Sequence, residues 1–237
     1  MKHLLFIYIF LASNINAFAQ IKMRSADELL SDTTGWTAFL DMTKNAKNKI
    51  EILPSDRVKA KEVLYQLQVT THSYLGALTY FTGGVFIKGG MIRLLGSGSD
   101  KIKRSIPEWN KGKSFTNYGE QPKFVLFADD ALGGFFAING GGLGPEQGKV
   151  YYLAPEALEW ESLDMGHSQF LEFCLNGDLE EFYADFDWPG RDKMISSLSG
   201  DEGIFFLPFL WTKEGKNVSK ASKKNIPMEE LYSLKND

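Results

Sequence analysis

Cysteine is nearly absent from this 237-residue chain. Cys174 is the only one, so no intrachain disulfide can form and stability has to come from packing. Histidine is almost as scarce, with three residues in all. A zinc site needs three or four clustered His, Cys or carboxylate ligands, and His72, His167 and Cys174 are too scattered to supply one, so neither a metal nor a cofactor is expected. His167 and Cys174 would lie two turns apart on one helix face, out of reach as a nucleophile and base pair; Cys174 reads as a small core residue. A concentrated basic surface is missing as well. The formal charge is −4, which gives no reason to expect nucleic acid as a partner, and the cluster Lys213, Lys216, Lys220, Lys223, Lys224 reads as a solvated loop because no aromatics interleave it.

Nucleotide and calcium motifs fail on position. Gly148-Lys149 would need a glycine and a Ser or Thr where Leu143 and Val150 stand, and no dinucleotide fingerprint opens a helix after Gly140–Gly144. Asp185-Phe186-Asp187 starts like a calcium loop, but Pro189 and Ser196 occupy ligand positions.

Long apolar runs are confined to the front. Lys2 and His3 precede Leu4–Ala12, a run too short to span a bilayer, and Ala17-Phe18-Ala19 is a small-x-small cleavage site ahead of Gln20. The pattern predicts a cleaved signal peptide over 1–19 and a single domain over 20–237, hence a periplasmic or secreted product of 237 − 19 = 218 residues. No cysteine follows the run and no later segment is long enough to cross a bilayer, so no stable membrane anchor is expected.

What is present is a core: 43% of residues are hydrophobic and 14% aromatic. The stretch Phe124–Trp160 holds strand-length apolar runs (Phe124–Ala128, Phe135–Ile138, Val150–Leu153) separated by glycine-rich and proline-bearing turns, the signature of an antiparallel meander. This predicts an α+β fold, a mostly antiparallel sheet centred on about 124–160 with flanking helices. Ser25 and Glu28 have capping-box spacing for a first helix running to about Ala46, broken near Asp32–Gly35. Ile50–Leu53 reads as a strand, and Ser55 as the cap of a helix to about Gln68. Leu75–Phe81 reads as helix or strand: the spacing Leu75, Leu78, Phe81 fits a helix capped by Ser73 and ended at Gly83-Gly84, the reading favoured here, whereas Thr79, Tyr80 and Phe81 have strand propensity. Val85–Lys88 and Met91–Leu95 form a hairpin about Gly89-Gly90. After the meander come helices over Gln169–Asn176 (capped by Ser168), from Asp178 to about Phe186 and near Asp192–Leu198, a strand over Gly203–Leu210, and a turn of helix after Pro227.

Candidate site residues follow from polarity in apolar surroundings. Asp129-Asp130 ends a strand, where carboxylates act as acids, bases or ligands, although neighbours on a strand face opposite ways and Asp is an ordinary turn former. His72 beside Ser73 has the composition of a base and nucleophile without the nucleophile-elbow glycines. The long polar passage Gly96–Lys123 carries Trp109 and Tyr118, which either pin it to the body or line a cleft. Asp129, Asp130, Trp109, His72, Ser73 and Tyr118 are therefore the candidate binding residues, and none is assigned a catalytic role.

Leu67–Ser99, Phe124–Tyr183, Trp188-Pro189-Gly190 and Phe205–Gly215 together resemble the bacterial family catalogued as domain of unknown function 2625, over nearly all of the chain past residue 19. FVLFADDALGGFFAIN, KVYYL and SQFLEFCL also resemble, more widely, the SUKH superfamily. That resemblance implies an α+β binding module without catalysis, often an immunity protein that neutralises a toxin; the export signal and the chain past Trp188 go beyond the superfamily pattern. The expected function is thus a non-enzymatic protein-binding module of immunity or inhibitor type. A small-ligand or glycan binder using Trp109, Tyr118, Trp160 and Trp188 is the alternative, and a hydrolase built from Asp129, Asp130, His72 and Ser73 ranks third.

Overall fold

Amphipathic strands joined by short turns pair with their neighbours in sequence, because short loops cost the least chain entropy to close. A computed structural model of the chain, which describes residues 23–236, follows this rule through its main sheet. Seven strands lie side by side in sequence order, each antiparallel to the next: β1 (Ile50–Leu53), β2 (Gly84–Ile87), β3 (Ile92–Leu95), β4 (Phe124–Asp130), β5 (Phe135–Asn139), β6 (Lys149–Leu153) and β7 (Glu161–Gly166). β4 is the middle strand, where the meander places it. β8 (Glu202–Leu207) and β9 (Ser222–Pro227) form a second, two-stranded sheet. The helices are α1 (Ala26–Leu29), α2 (Thr34–Thr43), α3 (Arg57–Leu67), α4 (Tyr74–Phe81), α5 (Ile106–Asn110), α6 (His167–Asn176), α7 (Leu179–Phe182), α8 (Arg191–Ser197) and α9 (Met228–Asn236). The fold is the α+β arrangement read from the sequence. The signal peptide expected over 1–19, with its cleavage site, falls outside the described residues. Among the described residues no helix is long and apolar enough to cross a membrane.

The period of two along the strands sends alternate side chains into two cores. Phe136, Val150 and Tyr152 join Phe39 of α2, Leu78 of α4 and Phe170 and Cys174 of α6 on one face. Phe135, Ala137 and Leu153 join Ile106 and Trp109 of α5 and Leu231 and Tyr232 of α9 on the other. Burial on both faces explains why these strands read as nearly continuous apolar runs. The hairpin between β2 and β3 turns through Lys88, Gly89 and Gly90, all at positive φ (51°, 68° and 92°).

Several local readings shift. α3 is capped by Asp56, which accepts from the amides of Val58 and Lys59, while Ser55 donates to the carbonyl of Tyr80 instead; a carboxylate one residue later is the stronger acceptor. α6 starts at His167, with the amide of Gly166 bound by Gln169. The helix expected from Asp178 to Phe186 is divided into α7 and a 3₁₀ turn over Ala184–Phe186. The passage Gly96–Lys123 contains α5, begun by a Ser105–Glu108 capping box with Pro107 in its first turn, and buries Ile102, Ile106 and Trp109. Part of the lysine cluster is structured: Lys223 lies in β9, donates to the carbonyls of Val218 and Ala221, and stands 4.9 Å over the ring of Trp188.

Candidate functional site

The two aspartates at the end of β4 are buried at the centre of the molecule, both 0% exposed, and the pleat turns them to opposite faces. On the α5 and α9 face, Asp129 Oδ1 accepts from Arg93 Nε at 2.6 Å and Oδ2 from Arg104 Nη1 at 2.7 Å. Arg93 sits directly across on β3. Its other guanidinium nitrogens donate to the carbonyls of Glu202 and Asp130. Arg104 also binds Asp201 Oδ1 at 3.0 Å and lies 4.5 Å over the ring of Trp109. On the other face, Asp130 Oδ1 closes the β4–β5 turn by accepting from the amides of Leu132 and Gly134 at 2.9 Å each. Its Oδ2 accepts from the hydroxyls of Tyr152 at 2.6 Å and Tyr183 at 3.3 Å. Burial pushes the Asp130 carboxyl up against these hydrogen bonds, and pushes both tyrosines well above their ordinary value, with the charge of Asp130 adding to it.

The remaining sequence-predicted residues do not join this centre. His72 is exposed, with Nδ1 3.1 Å from Asp32 Oδ2. Ser73 caps α4, accepting from the amide of Gly76 and donating to the carbonyl of Thr70. Tyr118 is half-buried against Phe115, its ring under Lys111. Trp109 is a core residue between Phe135 and Tyr232. Of these four, Trp109 alone touches the centre, through Arg104. His72 and Ser73 share no hydrogen bond with either aspartate, so the hydrolase constellation does not assemble. Of the aromatics read as sugar platforms, Trp109 and Trp188 are buried and Trp160 packs on Phe124.

A cleft that sequence order does not announce opens elsewhere. The β6–β7 loop brings Glu156, the 3₁₀ turn brings Asp185 and Phe186, and the β8–β9 connection brings Leu210, Trp211, Lys216 and Val218, enclosing about 630 Å³. That volume falls within the roughly 300–1,000 Å³ typical of ligand clefts. Trp211 stacks on Phe209 with centroids 4.5 Å apart and planes at 10°. Lys235 of α9 reaches to 5.7 Å from the Trp211 ring and donates to the carbonyls of Ala154 and Ala157. Burial lowers the Lys235 ammonium to about 8, the charges of Asp130 and Glu156 opposing the shift. Glu156 keeps an exposed surface, yet burial pushes its carboxyl up, and the charges of Asp130 and Asp185 push it further while Lys235 pulls the other way. The ion pairs nearest in sequence to Asp185 tie Arg191 to Glu180, Asp187 and Asp192, and leave Glu156 and Asp185 to the cleft. The only sequence signal for the cleft is the aromatic segment FFLPFLW, which reads equally well as a buried strand.

Fold and site define an α+β protein built on an antiparallel meander, with a polar centre whose charges are answered internally and an aromatic, carboxylate-bearing cleft at its C-terminal end. The chain belongs to the family described as protein of unknown function DUF2625, which it matches over residues 27–231. It is 36% identical over 211 residues to an uncharacterized protein of Haemophilus influenzae, covering 89% of this chain and 92% of that protein. It is 38% identical over 213 residues to the putative uncharacterized protein YbfG of Escherichia coli K12, covering 90% of this chain and 95% of that one. No solved structure matches the chain at significance.

Proposed function

We propose that this protein is an exported, non-enzymatic module that binds a partner protein on the face around Trp211. The observation that carries this reading is the distribution of exposed apolar side chains. Seven large ones stand out among the described residues, and three of them, Leu158 (53% exposed), Leu207 (55%) and Leu234 (39%), sit on the elements that surround the cleft. Leu207 ends β8 just before Phe209 and Trp211, Leu234 lies on α9 beside Lys235, and Leu158 follows Ala157, whose carbonyl Lys235 holds. Exposed apolar side chains on elements that also carry a tryptophan and a concavity are what protein interfaces offer a partner. The wider SUKH resemblance supports the same class, with immunity or inhibition as its form. A glycan is the second reading, favoured by one observation: carboxylates beside an aromatic ring suit sugar hydroxyls and a sugar face, and that ring is Trp211 rather than the tryptophans named from sequence.

The test is residue-resolved crosslinking of the protein in its own cells, repeated with Trp211→Ala. A single stoichiometric partner crosslinked to Leu207–Trp211 and α9, and lost in the variant, is the expected result. Crosslinks that map instead to α1 and α3 would overturn the assignment of this face. Quenching of Trp fluorescence by a glycan would replace the protein partner with a sugar.

A further inference from the structure

The geometry points to a cationic side chain, a guanidinium or ammonium group presented by the partner, as the group that fills the cleft between Glu156, Asp185 and Trp211. This rests on the docking reading above and specifies what is docked. The cleft walls divide by chemistry. Phe186, Leu210 and Val218 supply an apolar wall suited to the methylene stem of a long cationic side chain. Glu156 and Asp185 supply two acceptors for its head, and Trp211 an aromatic ring at which a cation is favoured.

The charges on each side have been weighed. Lys216, exposed, lines the cleft beside the two carboxylates with no ion pair to either, and Lys235 approaches from α9, but the Lys235 ammonium is held by the carbonyls of Ala154 and Ala157. Asp130 lies behind the site, held by Tyr152, Tyr183 and two amides. Burial is the main reason the Glu156 carboxyl is raised, and Asp130 and Asp185 add a repulsion that Lys235 opposes. An entering cation relieves that repulsion and gains hydrogen bonds to charged acceptors, so the site is built to prefer a cation over a neutral group of the same shape.

The probe is N-acetyl-arginine methylamide, with the isosteric citrulline compound as the neutral control, each titrated to millimolar concentration while the Trp211 indole N–H is followed by NMR. The arginine probe is expected to move that resonance saturably and the citrulline probe at least about tenfold more weakly. Glu156→Gln and Asp185→Asn, both at exposed positions, are each expected to weaken the arginine probe by about tenfold, with unchanged far-UV circular dichroism. Equal binding of the two probes, or no loss in either carboxamide variant, overturns the inference. The two readings fail separately. If Trp211→Ala still loses the partner while the arginine probe does not bind, the docking face stands and the cationic anchor falls. If the probe binds but crosslinks map elsewhere, the cleft is a cation site and the docking face falls.

Discussion

Removing the carboxylate of Asp129 tests whether the polar centre holds the two sheet faces together. Asp129→Ala leaves Arg93, 1% exposed, without its carboxylate partner, and frees one end of Arg104. Arg93 keeps the carbonyls of Glu202 and Asp130, and Arg104 keeps Asp201, so neither guanidinium loses every acceptor. An uncompensated buried charge left by removing one partner costs about 3–5 kcal/mol, and the retained acceptors put this site at about 3. Against a total stability of roughly 5–15 kcal/mol this is a large fraction, and for a chain of this size it lowers Tm by roughly 6–12 °C. The assay is urea unfolding followed by Trp fluorescence, read as a lower midpoint with an unchanged slope. The double variant Asp129→Leu/Arg93→Met removes both charges and is expected to recover most of the loss, because the penalty lies in the orphaned charge and not in the absence of the pair. A loss below about 1 kcal/mol in Asp129→Ala would show that water reaches Arg93 and that this centre is not sealed.

Two further perturbations probe the same face and its neighbour. Gly134→Ala places a Cβ 2.2 Å from Asp130 Oδ2 and 2.7 Å from the Tyr152 ring, both held in place by hydrogen bonds; destabilisation of about 1–3 kcal/mol is expected from overpacking, and a neutral result in thermal unfolding would mean that the β4–β5 turn yields. His167 keeps some exposed surface, but its Nε2 is buried without a partner, and burial lowers the imidazole to about 4 from 6.5. The unfolded chain therefore binds the proton first, so stability falls as pH drops from about 6.5 to about 4. His167→Gln is expected to flatten that part of the stability profile, and an unaltered slope would refute the assignment.

The sheet was legible because its information is local. Each run of Phe124–Ala128, Phe135–Ile138 and Val150–Leu153 pairs with the next across a turn marked by glycine, so periodicity and turn chemistry suffice. Leu75–Phe81 was resolved towards helix by Ser73 and the leucine spacing. β7 and β9 were missed because ESLDMG alternates over only two apolar residues, Leu163 and Met165, and SKKNIP has no alternation, neither has a β-branched run, and pairing with β6 and β8 extends them. α5 was passed over inside a polar stretch although Ser105 and Glu108 carry the capping-box spacing used for α1. The aspartates were recognised as unusual, but their burial was not, since turn aspartates normally face water. The clue was Arg93 within the apolar run MIRLL: a charge in a buried strand requires a countercharge on the adjacent one. The cleft joins Glu156, Asp185 and Trp211, which no spacing rule connects, because their proximity is a product of the way the last two strands fold over the meander.

The C-terminal segment has a second role, in timing. A strand order that follows the chain lets β1 to β7 assemble by successive short closures, a route that needs little long-range search. Arg93 is the exception, since two of its acceptors, the Glu202 carbonyl and Met228 Sδ, arrive only with β8 and α9. Until then the middle of the sheet carries a guanidinium that only water can finish satisfying. The meander therefore cannot dry out as an independent unit, and a chain cut short before its last helix leaves a wet charge at its heart. Arrival of β8 and α9 and sealing of the core become one event, in which the second sheet closes the meander it packs against.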